Sequence, residues 1–202
     1  AARHISQKLG LAVKENEITK YDLTPASGFK EKTDKGSIAF YPLPGFEPVA
    51  IPNDLKRYFD QEFAFPGEKY CVRYFVIKND EQITASLDDS TKYKQYVDEK
   101  KGASQSVAIN IMMPDPANFR MPNSKENDDR SDCRKINNSD FIIEYAFQVG
   151  DNSVLAKGYK YCYMYATFKQ NAADCYVVFL SDDTKKIGLF RQMHKSSIKY
   201  RN

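Results

Sequence analysis

Apolar and polar positions alternate with a period of two over most of the apolar stretches of the chain, and that period predicts strands. The densest block runs from Phe141 to Phe190. Within it Phe141, Ile143, Tyr145, Phe147 and Val149 share one face of a strand. Gly150-Asp151-Asn152 reads as a turn, and a strand resumes through SVLAKGYKYCYMYATF. Lys169 to Asp174 turn into CYVVFLSDD, and KKIGLFRQM closes the series. Earlier, Glu68 to Asp80 sets Tyr70, Val72, Tyr74 and Val76 on one face, with Cys71, Arg73, Phe75 and Ile77 on the other. Apolar residues on both faces predict a strand covered on both sides at its centre. Asn79 to Gln82, NDEQ, turn into a hairpin partner, ITASL. Ser104 to Pro114 alternates through Val107, Ile109, Ile111 and Met113 and reads as a strand stopped by Pro114.

Two segments carry a helical period instead. Asn53 and Asp54 offer caps to a helix whose Leu55, Tyr58, Phe59 and Phe63 fall on one face, ended by Pro66-Gly67. Asp88 to Lys101 forms a second short helix, capped by Asp89 or Ser90 and stopped by Gly102. The fold class that follows is mainly β: an antiparallel meander closing into a barrel or a sandwich, with two short helices. Residues 1–52 read as an irregular N-terminal extension or strap, with four prolines between Tyr41 and Asn53 confining that part to an edge. Residues 53–202 form a single antiparallel β domain. The charged stretch 115–140, with two prolines, reads as a long loop: a lid, a binding loop or a disordered segment.

Composition sharpens this picture in three places. The chain holds 14 Tyr and 13 Phe with no Trp, a preference for pleated, half-buried surfaces. Tyr159, Tyr161, Tyr163 and Tyr165 stand at period two, with Tyr74 and Tyr145 on other strands. Such a ladder suits a polar-lined cavity, a recognition surface, or a half-exposed outer face, since each hydroxyl needs a partner. The net charge of +3 arises from 30 basic and 27 acidic residues interleaved along the chain. This is a solvated surface, and it argues against a nucleic-acid partner. No apolar run is long enough to span a membrane.

The four cysteines, Cys71, Cys133, Cys162 and Cys175, are widely spaced. Together with the acceptor sequence Asn137-Asn138-Ser139 they suggest two disulfides, a glycan on Asn137, and an extracellular, secreted protein. Cys71–Cys175, Cys71–Cys133 and the hairpin pair Cys162–Cys175 are the favoured bridges, and four reduced, buried thiols are the alternative. Two His and no C-x-x-C leave no metal site, and no nucleophile–base pattern or phosphate-binding loop appears, so neither a catalytic group nor a cofactor is expected. The acidic pairs Asp88-Asp89, Asp128-Asp129 and Asp182-Asp183 read as turns and caps rather than as calcium ligands.

From Glu68 to Arg191, an amphipathic helix before the meander and a late hairpin ending in DCYVVFLSDD resemble the lipocalin or calycin group, in which late strands end in a Leu-Ser pair such as Leu180-Ser181. The Gly-x-Trp signature is absent, and Arg191 would be the counterpart of the arginine that packs on its Trp. The resemblance implies an up-and-down barrel enclosing a small hydrophobic ligand. The function expected is thus a ligand-binding protein that is not an enzyme. It would hold a small, largely hydrophobic molecule in a barrel or cleft lined by Tyr74, Tyr145, Tyr159, Tyr161, Tyr163 and Tyr165. The alternative is a protein–protein interaction module using the 115–140 loop and the Tyr-rich face.

Overall fold

The computed structural model describes residues 26–79, 87–113, 121–193 and 197–202, with the side chains of 192 and 193 outside that description. In chain order the elements are α1 (Ser27–Lys35), β1 (Ile38–Phe40), β2 (Glu47–Val49), β3 (Gln61–Ala64) and β4 (Tyr70–Ile77). They continue with α2 (Ser90–Met112), β5 (Asn123–Asn127), α3 (Arg130–Asn137), β6 (Phe141–Gln148) and β7 (Tyr161–Phe168). The last are β8 (Asp174–Ser181), α4 (Thr184–Met193) and β9 (Ile198–Tyr200).

Seven strands form one antiparallel sheet in the order β2-β3-β4-β8-β7-β6-β5, and β1 pairs with β9 in a small second sheet. The protein is therefore mainly β and antiparallel. The large sheet is open, with β2 and β5 at its two edges, so the closed barrel is not formed. Its central strands bury side chains in both directions. Tyr70, Val72, Tyr74 and Val76 of β4 join Val177 and Phe179 of β8 and Tyr163 and Tyr165 of β7 on one face. That face is covered by α1, α3, α4 and the β1–β9 pair. Cys71, Tyr176, Val178, Leu180, Met164 and Tyr145 line the opposite face, covered by α2 and by residues Leu55, Phe59, Val149 and Ala156 of two loops. The two are called here the α1/α4 face and the α2 face. An apolar strand pattern without clear polar alternation is what double coverage demands.

Several elements differ from the pattern-based expectation. Leu55 and Phe59 do lie together on the α2 face, in a short turn where Tyr58 N and Phe59 N both donate to Leu55 O at 2.9 and 3.1 Å. The chain then enters β3, so Phe63 points to the α1/α4 face and no helix forms. Pro66-Gly67 makes the hairpin turn between β3 and β4. Glu68 N donates to Phe65 O, and Gly67 at φ +76° takes the left-handed position that such a turn reserves for glycine.

The expected strand Ser104–Pro114 is instead the second half of α2, which runs 23 residues straight through Gly102. Ser104, Ala108, Ile111 and Met112 repeat at helical spacing and are the residues that face the sheet. KKIGLFRQM is likewise helical, as α4, with Phe190 stacked on Phe179 at 4.6 Å. The 115–140 stretch contains β5 and α3, and residues 27–49 are woven into the body through β1 and β2 rather than appended to it. Pro48 sits on edge strand β2, where a missing N–H costs least. The ITASL hairpin partner lies outside the described residues except for Leu87, which is buried on the α2 face.

The acidic pairs do cap and turn. Asp89 Oδ1 accepts from Thr91 N and Lys92 N at the start of α2. Asp129 Oδ1 accepts from Asp132 N at the start of α3, and Asp183 Oδ1 from Lys185 N at the start of α4.

The disulfide expectation is overturned. All four cysteines are free and buried. Cys71 and Cys162 lie on the α2 face, while Cys133 and Cys175 lie on the α1/α4 face. The sheet itself thus separates Cys71 from Cys175 and Cys133, and Cys162 from Cys175. On neighbouring strands, Cys71 is opposite Leu180 and Cys175 opposite Val76, five positions apart. At about 3.3 Å per residue that exceeds the roughly 7 Å a bridge spans. Asn137 is fully buried, its amide donating to Tyr165 Oη at 2.9 Å and Thr167 Oγ1 at 3.0 Å. A glycan on that amide nitrogen is incompatible with the folded chain. The two features that carried the extracellular expectation therefore no longer support it.

Candidate functional site

The six tyrosines do not converge on one cavity. Tyr74 is enclosed at the centre of an aromatic cluster, its ring 5.0 Å from Phe40 and 5.8 Å from both Phe29 and Phe63. Tyr163 and Tyr165 are buried on the same face. Tyr145 lies on the opposite face under α2, its hydroxyl 3.0 Å from Ser104 Oγ. Tyr159 precedes β7 and packs on the α2 face, and Tyr161 is half-buried at the first position of β7. The period-two argument holds only from residue 161 onward, because 158–160 are not in the strand. Burial raises the hydroxyl pKa of Tyr74, Tyr163 and Tyr165. These rings therefore stay neutral and act as core.

One of them touches a hollow. Tyr165 and Glu144 form the floor of a polar recess of about 310 Å³ between β5, β6 and α3. Its carboxylates are engaged: Glu144 Oε2 accepts from Arg191 Nε at 2.8 Å, Asp132 Oδ2 from Asn127 Nδ2 at 2.7 Å, and Glu126 pairs with Lys101 at 2.7 Å.

The cleft with the character of a ligand site lies on the other side of the molecule. It encloses about 420 Å³ between the C-terminal half of α2, the 53–59 turn and the 150–159 loop. Val107, Asn110, Ile111 and Met113 come from α2 and its cap, Arg57, Tyr58 and Phe59 from the turn, Phe75 from β4, and Val154 and Leu155 from the loop. Three rim side chains are large apolar groups left open to solvent: Tyr58 at 40%, Met113 at 44% and Val154 at 52% exposure. The volume and apolar lining fall in the range of small-molecule pockets.

The walls of this cleft are held by specific contacts. Phe75 stacks flat on Tyr176 at 4.4 Å and meets Phe59 edge-on at 5.9 Å. Behind Phe59, the Arg73 guanidinium lies 5.3 Å from the ring and is itself fixed. Its Nε donates to Glu62 Oε2 at 2.7 Å, and its Nη1 donates to Leu155 O at 2.6 Å. That ion pair is buried, so Glu62 and Arg73 neutralise each other beneath the cleft. The 150–159 loop is tied to the end of α2, where Gly150 N donates to Met112 O at 2.8 Å and Ser153 Oγ donates to Ile111 O at 2.5 Å. A side chain at Gly150 would collide with the Met113 carbonyl. Met113 ends the helix in the left-handed conformation, φ 41°.

Among the described residues no carboxylate, thiol or imidazole lines this cleft. Among the described residues no group of three His, Cys, Asp or Glu gathers to hold a metal ion, and no helix is long and apolar enough to cross a membrane. Sequence reasoning missed the cleft because its parts come from four separate segments. The signal available was the run Arg57-Tyr58-Phe59, which supplies one charge and two rings in succession.

No family model matches the chain, and no curated protein matches it. Among solved structures, the solution structure of cyanobacterial PsbP (CyanoP) from Synechocystis sp. PCC 6803 is similar. Its TM-score is 0.42 at 15% identity, over 83% of this chain and 88% of that chain. A likeness that distant does not bear on function.

Proposed function

We propose that this protein binds a small, largely hydrophobic molecule in the cleft floored by Phe59, Phe75, Ile111 and Leu155. The observation that carries the proposal is an apolar recess of about 420 Å³ whose rim leaves Tyr58, Met113 and Val154 open to solvent. Isolated exposed apolar side chains are ordinary, but three around one apolar recess mark a surface that gains by being covered. The walls are preorganised by the Phe75–Tyr176 stack and the Arg73–Leu155 hydrogen bond, which lowers the ordering cost of binding. The ligand would lie against rings and aliphatic side chains, with Tyr58 as the one tyrosine wall.

A panel of aromatic and aliphatic compounds tests this by thermal unfolding. A ligand present at about 100 times its Kd stabilises the folded state by roughly 2.7 kcal/mol, a shift of several degrees. Val107→Trp, which fills the cleft from α2, should abolish the shift without lowering the melting temperature of the free protein by more than a few degrees. The alternative of docking through residues 115–140 draws support from β5, an edge strand whose residues 123–126 are exposed. A panel without any shift that Val107→Trp removes would favour that alternative.

A further inference from the structure

Several carbonyls around the cleft already accept hydrogen bonds, whereas its one cationic side chain has no partner among the described residues. At the end of α2, Ile109 O accepts from Met113 N, Ile111 O from Ser153 Oγ, and Met112 O from Gly150 N. On the loop side Leu155 O accepts from Arg73 Nη1. The donor side is different. Arg57 is exposed in the 53–59 turn, its guanidinium carbon 4.7 Å above the Tyr58 ring, and among the described residues it has neither an ion pair nor a hydrogen-bond partner. The amide of Asn110, exposed on α2, is likewise without a partner among the described residues.

We infer that the molecule held in this cleft is an amphipathic anion, an apolar body bearing one carboxylate or sulfonate head, with the head read by Arg57 at the mouth. The inference rests on the cleft's being a ligand site and adds the charge of the ligand. A guanidinium offers five N–H donors and no acceptor, in a fork that matches two oxygens of one acidic group. Stacking on Tyr58 holds that fork at the mouth while leaving its edge free. Arg73, the other guanidinium nearby, is buried, neutralised by Glu62 and tied to Leu155 O, so it does not take this part.

The opposing effect is the negative end of the α2 dipole, which favours a cation. The carbonyls of Ile109, Ile111 and Met112 accept the bonds named above, which weakens that pull, whereas the Arg57 charge has no counter-ion among the described residues. A cationic ligand would meet Arg57 and find no carboxylate among the described residues of the lining. A neutral one would use the Phe59–Phe75 floor and leave the donors idle.

Two fluorescent probes separate these cases, since 8-anilino-1-naphthalenesulfonate and N-phenyl-1-naphthylamine share one apolar body and differ by the sulfonate. The wild-type protein should bind the sulfonate about tenfold more tightly, the scale of one charge-assisted hydrogen-bonded contact. Arg57→Gln should bring the sulfonate down to the affinity of the neutral probe and leave the neutral probe unchanged. Arg57→Lys should retain part of the preference. Equal affinity for both probes, unaffected by Arg57→Gln but lost in Val107→Trp, would overturn the anion inference while leaving the cleft as a ligand site. Binding of neither probe, or binding that Val107→Trp leaves intact, would overturn the cleft reading and this inference with it.

Discussion

Asn137 shows how far a single residue's role depends on what the chain wraps over it. Within Asn137-Asn138-Ser139 it satisfies a surface-modification pattern, yet in the fold it is fully buried. Its amide donates to Tyr165 Oη and Thr167 Oγ1, and its Oδ1 accepts from Ser139 N at 3.2 Å. Three successive letters report a chemical acceptor and carry no information about depth. Asn137→Ala removes two donors and an acceptor from a buried site, so the folded state should lose about 2–3 kcal/mol, read from urea unfolding midpoints at constant slope. A midpoint unchanged within error would show that the amide is not buried as described. The tyrosines teach the same lesson in reverse. Tyr74, Tyr163 and Tyr165 were legible as one-face strand residues, while which face is roofed by α1, α3 and α4 was not.

At the level of elements, strands covered on both sides were legible and the long helix was not. β4, β6 and β8 read correctly because their apolar density has no other cheap explanation over eight residues. Inside α2, glycine at 102 and the alternation of Val107, Ile109, Ile111 and Met113 both argued against helix. Neither is strong. Glycine costs about 1 kcal/mol relative to alanine in a helix interior, less than the packing of Val97, Ala108 and Ile111 on the sheet returns. Gly102 is exposed, and a Cβ there would meet nothing within 4 Å. Gly102→Ala should therefore stabilise the protein by about 0.5–1 kcal/mol, measured by thermal or urea unfolding. Destabilisation by that substitution would mean that α2 is interrupted near residue 102.

Across the whole molecule the sheet acts as a partition, and the thiols report it. Two cysteines lie on each side, all four buried, and burial is the main reason their pKa values rise, to about 12 for Cys71 and for Cys133. The native protein should thus leave a disulfide-exchange reagent unreacted at pH 8, and all four thiols should react in urea without any reductant. Fewer than four in urea would restore the disulfide assignment. The same partition places the proposed ligand cleft. It opens on the α2 face, where the end of one helix and two loops leave a recess beside Phe59 and Phe75, and it is separated by the sheet from Tyr74, Tyr163 and Tyr165.

By itself the sequence determined that this is an antiparallel, aromatic-rich sheet whose strand at 68–80 is buried on both sides, because side-chain alternation is a local property of an extended backbone. It also determined that the acidic pairs 88–89, 128–129 and 182–183 serve as turns and caps, since a cap is settled within three or four residues. Only the tertiary structure decided that the sheet stays open, that α2 runs through a glycine, and that the cysteines are kept apart. It alone assembled a cleft from residues 57–59, 75, 107–113 and 154–155. Those outcomes depend on which distant segments cover each face, and no short window of the chain contains that information.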